Sequence, residues 1–345
     1  MMAAVTASAP QETTSETLGQ DIHNVTSTST TTTEEPFAEP VPNWKEAKIE
    51  WGAAWEVHIY TLGALFALIA LISIVNVIRL LLMQRLKSKA FFIAMNTLMF
   101  IMGLFRTCYF FVDAYNSNNS FPAALAYFSI SVTLPCLTSA FILLFVMLTK
   151  LLSFKLASPK IVNGRVIITV IVFNFVLAIT ADLVTGYHFE ARAILVVCQA
   201  TYVLIGIVTS LAYIVLFRKL YNITIRDRKT VIRMSLTSQT PLAKPGKKRD
   251  SHIPQPKKTM ALKVALAGAV LYFCIALMNL WGIASEFGLY TNKTPLPWPW
   301  WGYHFATRLL EVAMGFTILL VASQPFRKKK QESMKSRISV VSAAS

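Results

Sequence analysis

Residues 57–83 read VHIYTLGALFALIALISIVNVIRLLLM, an almost uninterrupted apolar run that decides the fold class. A helix needs about 20 apolar residues to cross the hydrocarbon core of a bilayer, and this run is long enough. No run has the alternating ten-residue pattern of a membrane β-barrel. The sequence therefore predicts an all-α, polytopic membrane protein with seven transmembrane helices. The six further apolar runs are Ala90–Val112, Ala123–Leu148, Val166–Val184, Ala193–Phe217, Thr259–Ser285 and Tyr303–Ala322.

The composition excludes several other classes of protein. Of the 345 residues, 54% are hydrophobic and only 14% are charged, whereas a soluble domain has about 25% charged residues. A water-soluble globular enzyme and a disordered protein are therefore both poor fits. The four cysteines are too few and too scattered for a disulfide scaffold.

The cations indicate which side of the membrane each loop faces. Of the 33 Lys and Arg residues, 27 lie beside or within the loops after the first, third and fifth runs, or after the seventh. Because cytoplasmic loops carry the excess of Lys and Arg, we expect the amino terminus outside and the carboxyl terminus in the cytosol. The net charge of +16 then reflects topology and affinity for anionic inner-leaflet lipids, and it indicates no nucleic-acid partner. The segments expected on the outer side of the membrane have only four cations, Lys45, Lys48, Arg192 and Lys293.

The segment before the first span divides into a tail and a short helix. Residues 1–43 are rich in Thr and Ser, which predicts a disordered extracellular tail. Asn24 begins an Asn-Val-Thr acceptor for N-glycosylation in this tail. The first ten residues have neither a basic start nor an apolar core, so we expect no cleavable signal peptide. Asn43 has the spacing of a helix cap with Glu46, and it predicts an interfacial helix over residues 44–56.

The membrane domain is then expected over 57–326, with two basic segments on its cytosolic side, loop 218–258 and tail 327–345. Phosphate added near such a basic patch weakens its attachment to anionic lipid, an electrostatic switch. The loop is too long for a simple connector, so a cytosolic protein partner at the loop and tail is a second interpretation. The simpler alternative is that the basic residues of the loop and tail only set the orientation of the chain in the membrane. The candidate phosphorylation sites are Ser235, Ser251, Ser333 and Ser336.

Apart from Arg79 and Lys263 near the cytosolic ends of their spans, four charged residues lie inside the predicted spans, where a charge is costly and therefore points to a function. Arg106 is in the outer half of span two and has no opposite charge within four residues. Arg308 and Glu311 share one helical face, and Asp182 lies near the outer end of span four. We expect Arg106 to extend outward or to pair with Glu311 or Asp182. This polar network either holds the helices together or forms a ligand or ion site.

Two further features bear on the membrane region. Pro135 falls near the middle of span three and predicts a kink, because it removes one backbone donor. All seven tryptophans fall on the predicted outer side, and Trp44, Trp51 and Trp55 share one helical stripe. The tryptophans form either an interfacial belt that anchors the protein or an aromatic floor for an extracellular ligand.

The sequence motifs do not indicate an enzyme. HExxH, GxSxG and a phosphate-binding glycine loop are all missing from the sequence. His58, His188 and His304 lie near the outer boundary, but they do not have the spacing of a metal site. We therefore expect no catalytic residue, no metal ion and no cofactor.

Seven spans with an outer amino terminus suggest a G-protein-coupled receptor, but the rhodopsin-like signatures do not follow. Thr149–Leu152 replaces the DRY triplet after span three, and Ser323–Phe326 stands where NPxxY would be. The leading interpretation is a non-enzymatic membrane protein of receptor-like or interaction type in the plasma membrane. The alternatives are a transporter or channel that uses the intramembrane polar residues, and an orphan G-protein-coupled receptor.

Four segments carry a resemblance to a known family: Ala53–Leu68, Arg106 with Asp113–Tyr115, Leu134–Phe141 and Trp300–Glu311. Together they resemble the membrane region of the proline-rich transmembrane protein 3/4 family, over about Trp51–Arg327. The resemblance implies a multi-pass membrane protein without an established activity. That family is named for a long proline-rich extracellular region, whereas this chain has a Thr-rich tail in its place.

Overall fold

α-Helices follow each apolar run in the computed structural model, which describes residues 40–83, 89–151, 164–188, 193–237, 256–285 and 294–323. A 3-10 turn, Ala114–Asn116, follows the third helix. The described residues contain no β-strand, so the all-α fold class is confirmed for them. In chain order the helices are α1 Trp44–Trp51, α2 Ala53–Leu81, α3 Lys89–Asp113, α4 Ala123–Ser131, α5 Thr133–Leu151, α6 Gly164–Tyr187, α7 Ala193–Thr237, α8 Pro256–Ala284 and α9 Pro297–Ala322.

Seven spans within these ranges are long and apolar enough to cross a membrane, which confirms the predicted number. Helices α4 and α5 together form one of them, Ala123–Thr149, while the eight-residue α1 is too short to span. The last span begins earlier than the predicted start at Tyr303. It begins at Pro297 because proline is well tolerated in the first helical turn, where its missing N–H would have no partner anyway.

A break at Val132 divides the third span, as the proline in this run predicts. Helix α4 ends at Ser131, and α5 begins directly after the break. Pro135 has no N–H to donate to the Ser131 carbonyl, and its ring would collide with that carbonyl in a regular helix. The break leaves the last carbonyls of α4, including that of Ile130, outside the regular helical pattern.

Gly52 separates α1 from α2 and corrects the predicted boundary of the interfacial helix. We expected this helix over 44–56, but α1 ends at Trp51. Gly52 has a φ of +48°, in the left-handed region that glycine adopts without a steric cost. At the other end of α1, the side chain of Asn43 accepts a hydrogen bond from the backbone N–H of Lys45 at 3.2 Å, as expected of a cap.

The fifth span continues well beyond its predicted end. We expected a loop over 218–258, whereas α7 runs without interruption to Thr237. The residues from 218 to 237 include no glycine or proline, so this stretch has no residue that would stop a helix. At 1.5 Å per residue α7 is about 68 Å long, against about 30 Å of hydrocarbon core. The helix therefore extends far beyond the bilayer, and Ser235 lies on this extension.

Several predicted features lie outside the described residues. These are the Thr-rich tail up to residue 39 with Asn24, most of the basic loop with Ser251, and the basic tail 327–345 with Ser333 and Ser336.

Close helix packing builds the interior of the bundle. Helices α2 and α3 pack along their length, as do α7 and α8. Gly103 allows the first of these contacts, because a Cβ there would lie 2.8 Å from backbone atoms of Phe66 and Ala70. The α4–α5 span is the most buried of the seven in the described ranges. Helix α1, the 3-10 turn and the start of α9 lie at one end of the bundle, named here the aromatic end.

Candidate functional site

Three charged side chains meet inside the bundle near its aromatic end. Oε1 of Glu311 on α9 accepts a hydrogen bond from Nη2 of Arg106 on α3 at 3.1 Å. The same oxygen accepts a second hydrogen bond from Arg308, one turn earlier on α9. Arg106 and Glu311 are only 1% and 2% exposed, and Arg308 is 5% exposed. Because the desolvation of such a group is costly, removing one partner leaves an uncompensated buried charge. We name these three residues the charge cluster.

The break in the third span supplies a further contact to Arg106. Nη2 of Arg106 donates to the carbonyl oxygen of Ile130 at 2.9 Å. Its Nε and Nη1 have no hydrogen-bond partner among the described residues, and neither has Oε2 of Glu311. Buried polar atoms are nearly always hydrogen-bonded to protein or to ordered water. The unpartnered atoms therefore indicate a position where water or a ligand binds.

Asp182, the fourth predicted residue, stands beside the charge cluster rather than in it. It is 1% exposed on α6, and its carboxylate accepts a hydrogen bond from the Ser131 hydroxyl group at the end of α4. Arg106 binds Ile130, the neighbouring residue of Ser131. The structure thus brings the four predicted residues to the same part of the bundle, as an ion-paired triad and a separately hydrogen-bonded carboxylate.

Asp182 and two residues of the charge cluster, Arg308 and Glu311, line a cavity of about 110 Å³. This volume holds several water molecules or a small ligand. Pro40 also lines the cavity, so the segment before α1 reaches it from the aromatic end. His304 contributes a buried ring whose Nδ1 has no hydrogen-bond partner in the described part of the chain. The residues of the wall with hydroxyl or amide side chains are Tyr127, Ser131, Gln199, Tyr202, Asn279, Tyr303 and Thr307.

Tyr115 packs over the bundle interior at the aromatic end. Its hydroxyl group lies 3.0 Å from Nε2 of His58. Its ring meets those of Trp300 and His304 edge-on, with centroids 4.9 Å and 5.2 Å apart. Its φ of +59° is in the left-handed region, which a bulky residue seldom adopts. Such a conformation persists only where the surrounding structure holds it in place.

Two side chains hold the loop that carries this tyrosine. The carboxylate of Asp113 accepts hydrogen bonds from the backbone N–H groups of Asn118 and Ser120, each at 3.0 Å. The Asn116 amide bonds to both the N–H and the carbonyl of Phe121, at 2.9 Å and 3.2 Å. These contacts satisfy the loop backbone locally, as Asp and Asn side chains do in turns.

Five of the seven tryptophans form a buried group and an exposed group, while Trp44 and Trp301 are half-buried. Trp51 stacks on Trp55 and on Trp300, with ring centroids 5.0 Å and 5.7 Å apart, and all three rings are buried. Trp281 and Trp298 are 61% and 46% exposed. The exposed pair fits an anchoring role at an interface. The buried group packs the interior of the aromatic end. An interfacial belt therefore does not account for all seven tryptophans.

One turn beyond Glu311, on the side of α3 and α9, the interior becomes apolar. A Cβ on Gly315 would lie 2.9 Å from Cδ1 of Ile69 and 3.3 Å from Cε of Met102, so α9 packs tightly on α2 and α3 there. One turn further, Met99 and Ile318 are fully buried. We name this group the apolar layer.

Three residues contribute to the site although we did not expect them there. His58, His304 and Tyr115 all contact its aromatic side. In the sequence, His304, Arg308 and Glu311 follow the spacing i, i+4, i+7, which indicates a single helical face. No three His, Cys, Asp or Glu side chains of the described ranges lie close enough together to hold a metal ion.

Comparison with known proteins identifies the family. Residues 28–339 match the model of the proline-rich transmembrane protein 3 domain. The chain is similar to proline-rich transmembrane protein 4 of Rattus norvegicus, with 25% identity over 309 residues, and to that of Mus musculus, with 24% over 316. Each match covers 84% of this chain but 32% of the relative, so the chain spans about a third of the length of these relatives. The chain belongs to the proline-rich transmembrane protein 3 family and is a multi-pass membrane protein, which confirms the resemblance seen in its sequence.

Proposed function

We propose that this chain is a receptor-like membrane protein whose cavity receives a small polar ligand from the aromatic end. The observation that carries the proposal is a cavity of about 110 Å³ with unpartnered polar atoms in its wall, Oε2 of Glu311 and Nδ1 of His304. Both residues are more than nine-tenths buried. Ligand sites typically combine a largely apolar wall with a few convergent polar groups, and this cavity fits that description.

The apolar layer favours a receptor over a transporter or channel. A transport path needs polar groups or water on both sides of its binding site, and alternating access exposes that site to each side in turn. Beyond Glu311 the described interior continues with Ile69, Met102 and Gly315 in contact, followed by the fully buried Met99 and Ile318. Such packing on the side of α2, α3 and α9 supports a cavity that receives a ligand without passing it on. The lack of catalytic motifs in the sequence supports a non-enzymatic role.

In this proposal the aromatic end faces outward at the plasma membrane and the carboxyl terminus is cytosolic. The distribution of 27 of the 33 cations supports this orientation. The extension of α7 then carries Arg218, Lys219, Arg226 and Lys229 past the cytosolic surface of the bilayer. Such a segment binds anionic lipid or a cytosolic protein partner, and phosphorylation of serines near it would weaken the attachment to lipid.

Cysteine accessibility from each side of the membrane tests the proposal. Thr307 lines the cavity, and Thr317 lies ten residues further along α9, at the depth of the apolar layer. Both are partly buried, and both hydroxyl groups donate to the carbonyl four residues earlier at 2.8 Å, so they are a matched pair. Each is changed to cysteine in a chain whose four native cysteines are replaced by alanine. A membrane-impermeant methanethiosulfonate is then applied from outside intact cells or from the cytosolic side of inverted vesicles.

A dead-end cavity predicts that Thr307→Cys reacts with reagent applied from outside only. Thr317→Cys is not expected to react from outside. Reaction of Thr307→Cys from both sides would replace the receptor with a transporter. Failure of Thr307→Cys to react from outside would rule out a cavity that is open to an external ligand.

A further inference from the structure

We infer that the short segment before α1 is an autoinhibitory strap that covers the entrance of the cavity and must be displaced before a ligand binds, an inference that rests on the ligand-binding function proposed above. The segment consists of Pro40, Val41 and Pro42, and we name these three residues the strap. Its position, its packing on the aromatic end and the chemistry of its backbone carry the inference.

The strap lies at the end of the bundle from which the proposed ligand enters. Pro40 lines the cavity of about 110 Å³ together with Arg308 and Glu311. Pro42 is buried, and Pro40 and Val41 are half-buried. A segment before the first helix of a domain is usually poorly ordered unless contacts tie it down. The burial of these residues therefore indicates that the strap packs against the bundle.

A second and much smaller cavity shows how closely the strap packs. Pro40 and Val41 form one side of a gap of about 10 Å³ between the strap and the bundle. A cavity of this volume holds one water molecule at most, so the space left there is too small for a ligand. The bundle side of the gap consists of Tyr109, Tyr115, Ile130, Trp300 and His304.

The two cavities are neighbours, because three residues belong to both walls: Pro40, Ile130 and His304. Pro40 thus stands where the closely packed gap meets the larger cavity. His304 is the buried ring whose Nδ1 has no hydrogen-bond partner in the described ranges. A ligand that approaches this ring from the aromatic end meets the strap first.

The strap is held firmly at one end. Helix α1 follows it directly after the cap residue Asn43. The ring of Trp44 packs edge-on against that of Trp300, with centroids 5.2 Å apart, and Ala47 is fully buried. These contacts fix the position at which the strap leaves α1. Its direction is restricted as well, because proline locks φ near −65° at two of its three residues.

The contacts of the strap itself can be broken without unfolding a helix. Proline has no backbone N–H, so the three residues of the strap together can donate at most one backbone hydrogen bond. The strap is therefore held over the entrance mainly by the packing of its side chains on the rings below it. A contact of this kind can open and close while α1 and the bundle remain folded.

The rate of reaction at Thr307→Cys tests the strap. An impermeant methanethiosulfonate is applied outside intact cells to the chain without native cysteines. Pro40→Gly with Val41→Gly removes both side chains that face the gap and the restriction on φ at residue 40. If the strap covers the entrance about nine-tenths of the time, this double variant should react about tenfold faster. Val5→Gly with Pro10→Gly makes the same two changes near the start of the tail and should leave the rate unchanged.

Two deletions keep the test decisive if the glycine variant does not reach the cell surface. Deletion of residues 2–35 leaves the strap in place and should not change the rate. Deletion of residues 2–41 removes Pro40 and Val41 and should raise it about tenfold. Thr317→Cys should stay unreactive from outside in every chain.

Equal and measurable rates at Thr307→Cys in all these chains would overturn the strap and leave the cavity open to an external ligand. A rise at Thr317→Cys that matches the rise at Thr307→Cys would also overturn it, because the bundle as a whole would then have loosened. No reaction at Thr307→Cys in any chain would overturn the strap together with the ligand cavity proposed above.

Discussion

The charge cluster predicts that replacing Glu311 lowers the free energy of unfolding more than replacing Arg106. Glu311→Gln keeps the shape of the side chain but leaves Arg106 and Arg308 without their shared carboxylate, and both arginine side chains are more than nine-tenths buried. Breaking a buried ion pair typically costs about 3–5 kcal/mol. Arg106→Met removes one guanidinium group and leaves Glu311 paired with Arg308. We therefore expect a smaller cost, near the 1.5–3 kcal/mol of roughly one charge-assisted hydrogen bond.

Unfolding of the purified protein by SDS in mixed micelles, followed by tryptophan fluorescence, measures both free energies. The double variant Arg106→Met with Glu311→Gln completes a thermodynamic cycle. Because Nη2 of Arg106 and Oε1 of Glu311 are 3.1 Å apart, we expect a coupling energy of about 1 kcal/mol or more. Glu56→Gln is the control, since Glu56 is an exposed carboxylate near the same end of the bundle, and it should change the free energy of unfolding by less than about 0.5 kcal/mol.

Exchanging the two charges should restore stability only in part. In Arg106→Glu with Glu311→Arg, the new guanidinium group would stand one turn from Arg308, where the native chain has the carboxylate that binds both arginines. Like charges at this spacing repel each other. A coupling energy within about 0.3–0.5 kcal/mol of zero, or a larger cost for Arg106→Met than for Glu311→Gln, would refute the shared ion pair.

Three further predictions concern topology and packing. An epitope inserted near residue 5 should be accessible on intact cells and one at the carboxyl terminus only after permeabilisation, and the reverse pattern would contradict the proposed orientation. Asn24→Gln should abolish a glycosidase-sensitive mass shift, whereas Asn222→Gln on α7 should not, and a shift that depends on Asn222 would place the α7 extension in the lumen. Gly103→Ala should lower the free energy of unfolding by about 1–3 kcal/mol because its Cβ would meet the α2 backbone at 2.8 Å. Gly302→Ala is the control, with nothing within 4 Å of its Cβ, and an equal loss for both variants would contradict the packing argument.

Hydropathy alone was enough to predict the spans. Each apolar run became helical because a segment in lipid must satisfy its own backbone hydrogen bonds. Pro135 marked the interruption of the third span correctly, since the missing N–H acts locally whatever surrounds it. The end of α7 was misplaced for a related reason. Hydropathy reports where the bilayer ends, whereas a helix ends at a residue that stops it, and none is present between 218 and 237.

The site was less predictable because it depends on contacts between distant segments. A charged residue inside a span is visible in the sequence, so Arg106 and Glu311 were recognised, and Glu311 was one of two partners expected for Arg106 if it did not extend outward. Their pairing joins residues 205 positions apart, and no spacing rule reports such a contact. The role of Tyr115 was hidden for a different reason. Its left-handed conformation depends on the side chains of Asp113 and Asn116 and on the rings that enclose it, and not on a propensity of tyrosine.

The features that cost stability in this fold are concentrated where we place the ligand. A left-handed backbone at a bulky residue such as Tyr115 costs about 1–3 kcal/mol, and Oε2 of Glu311 and Nδ1 of His304 would add the cost of buried polar atoms wherever neither water nor a ligand bonds to them. A ligand that supplies those hydrogen bonds binds the folded state alone, and it raises stability in proportion to the logarithm of its concentration. The apolar layer offers no such gain, because its atoms are already in contact. A ligand in the cavity should therefore stabilise the aromatic end first, and hydrogen exchange should slow there in the Tyr115 loop before it slows around Met102.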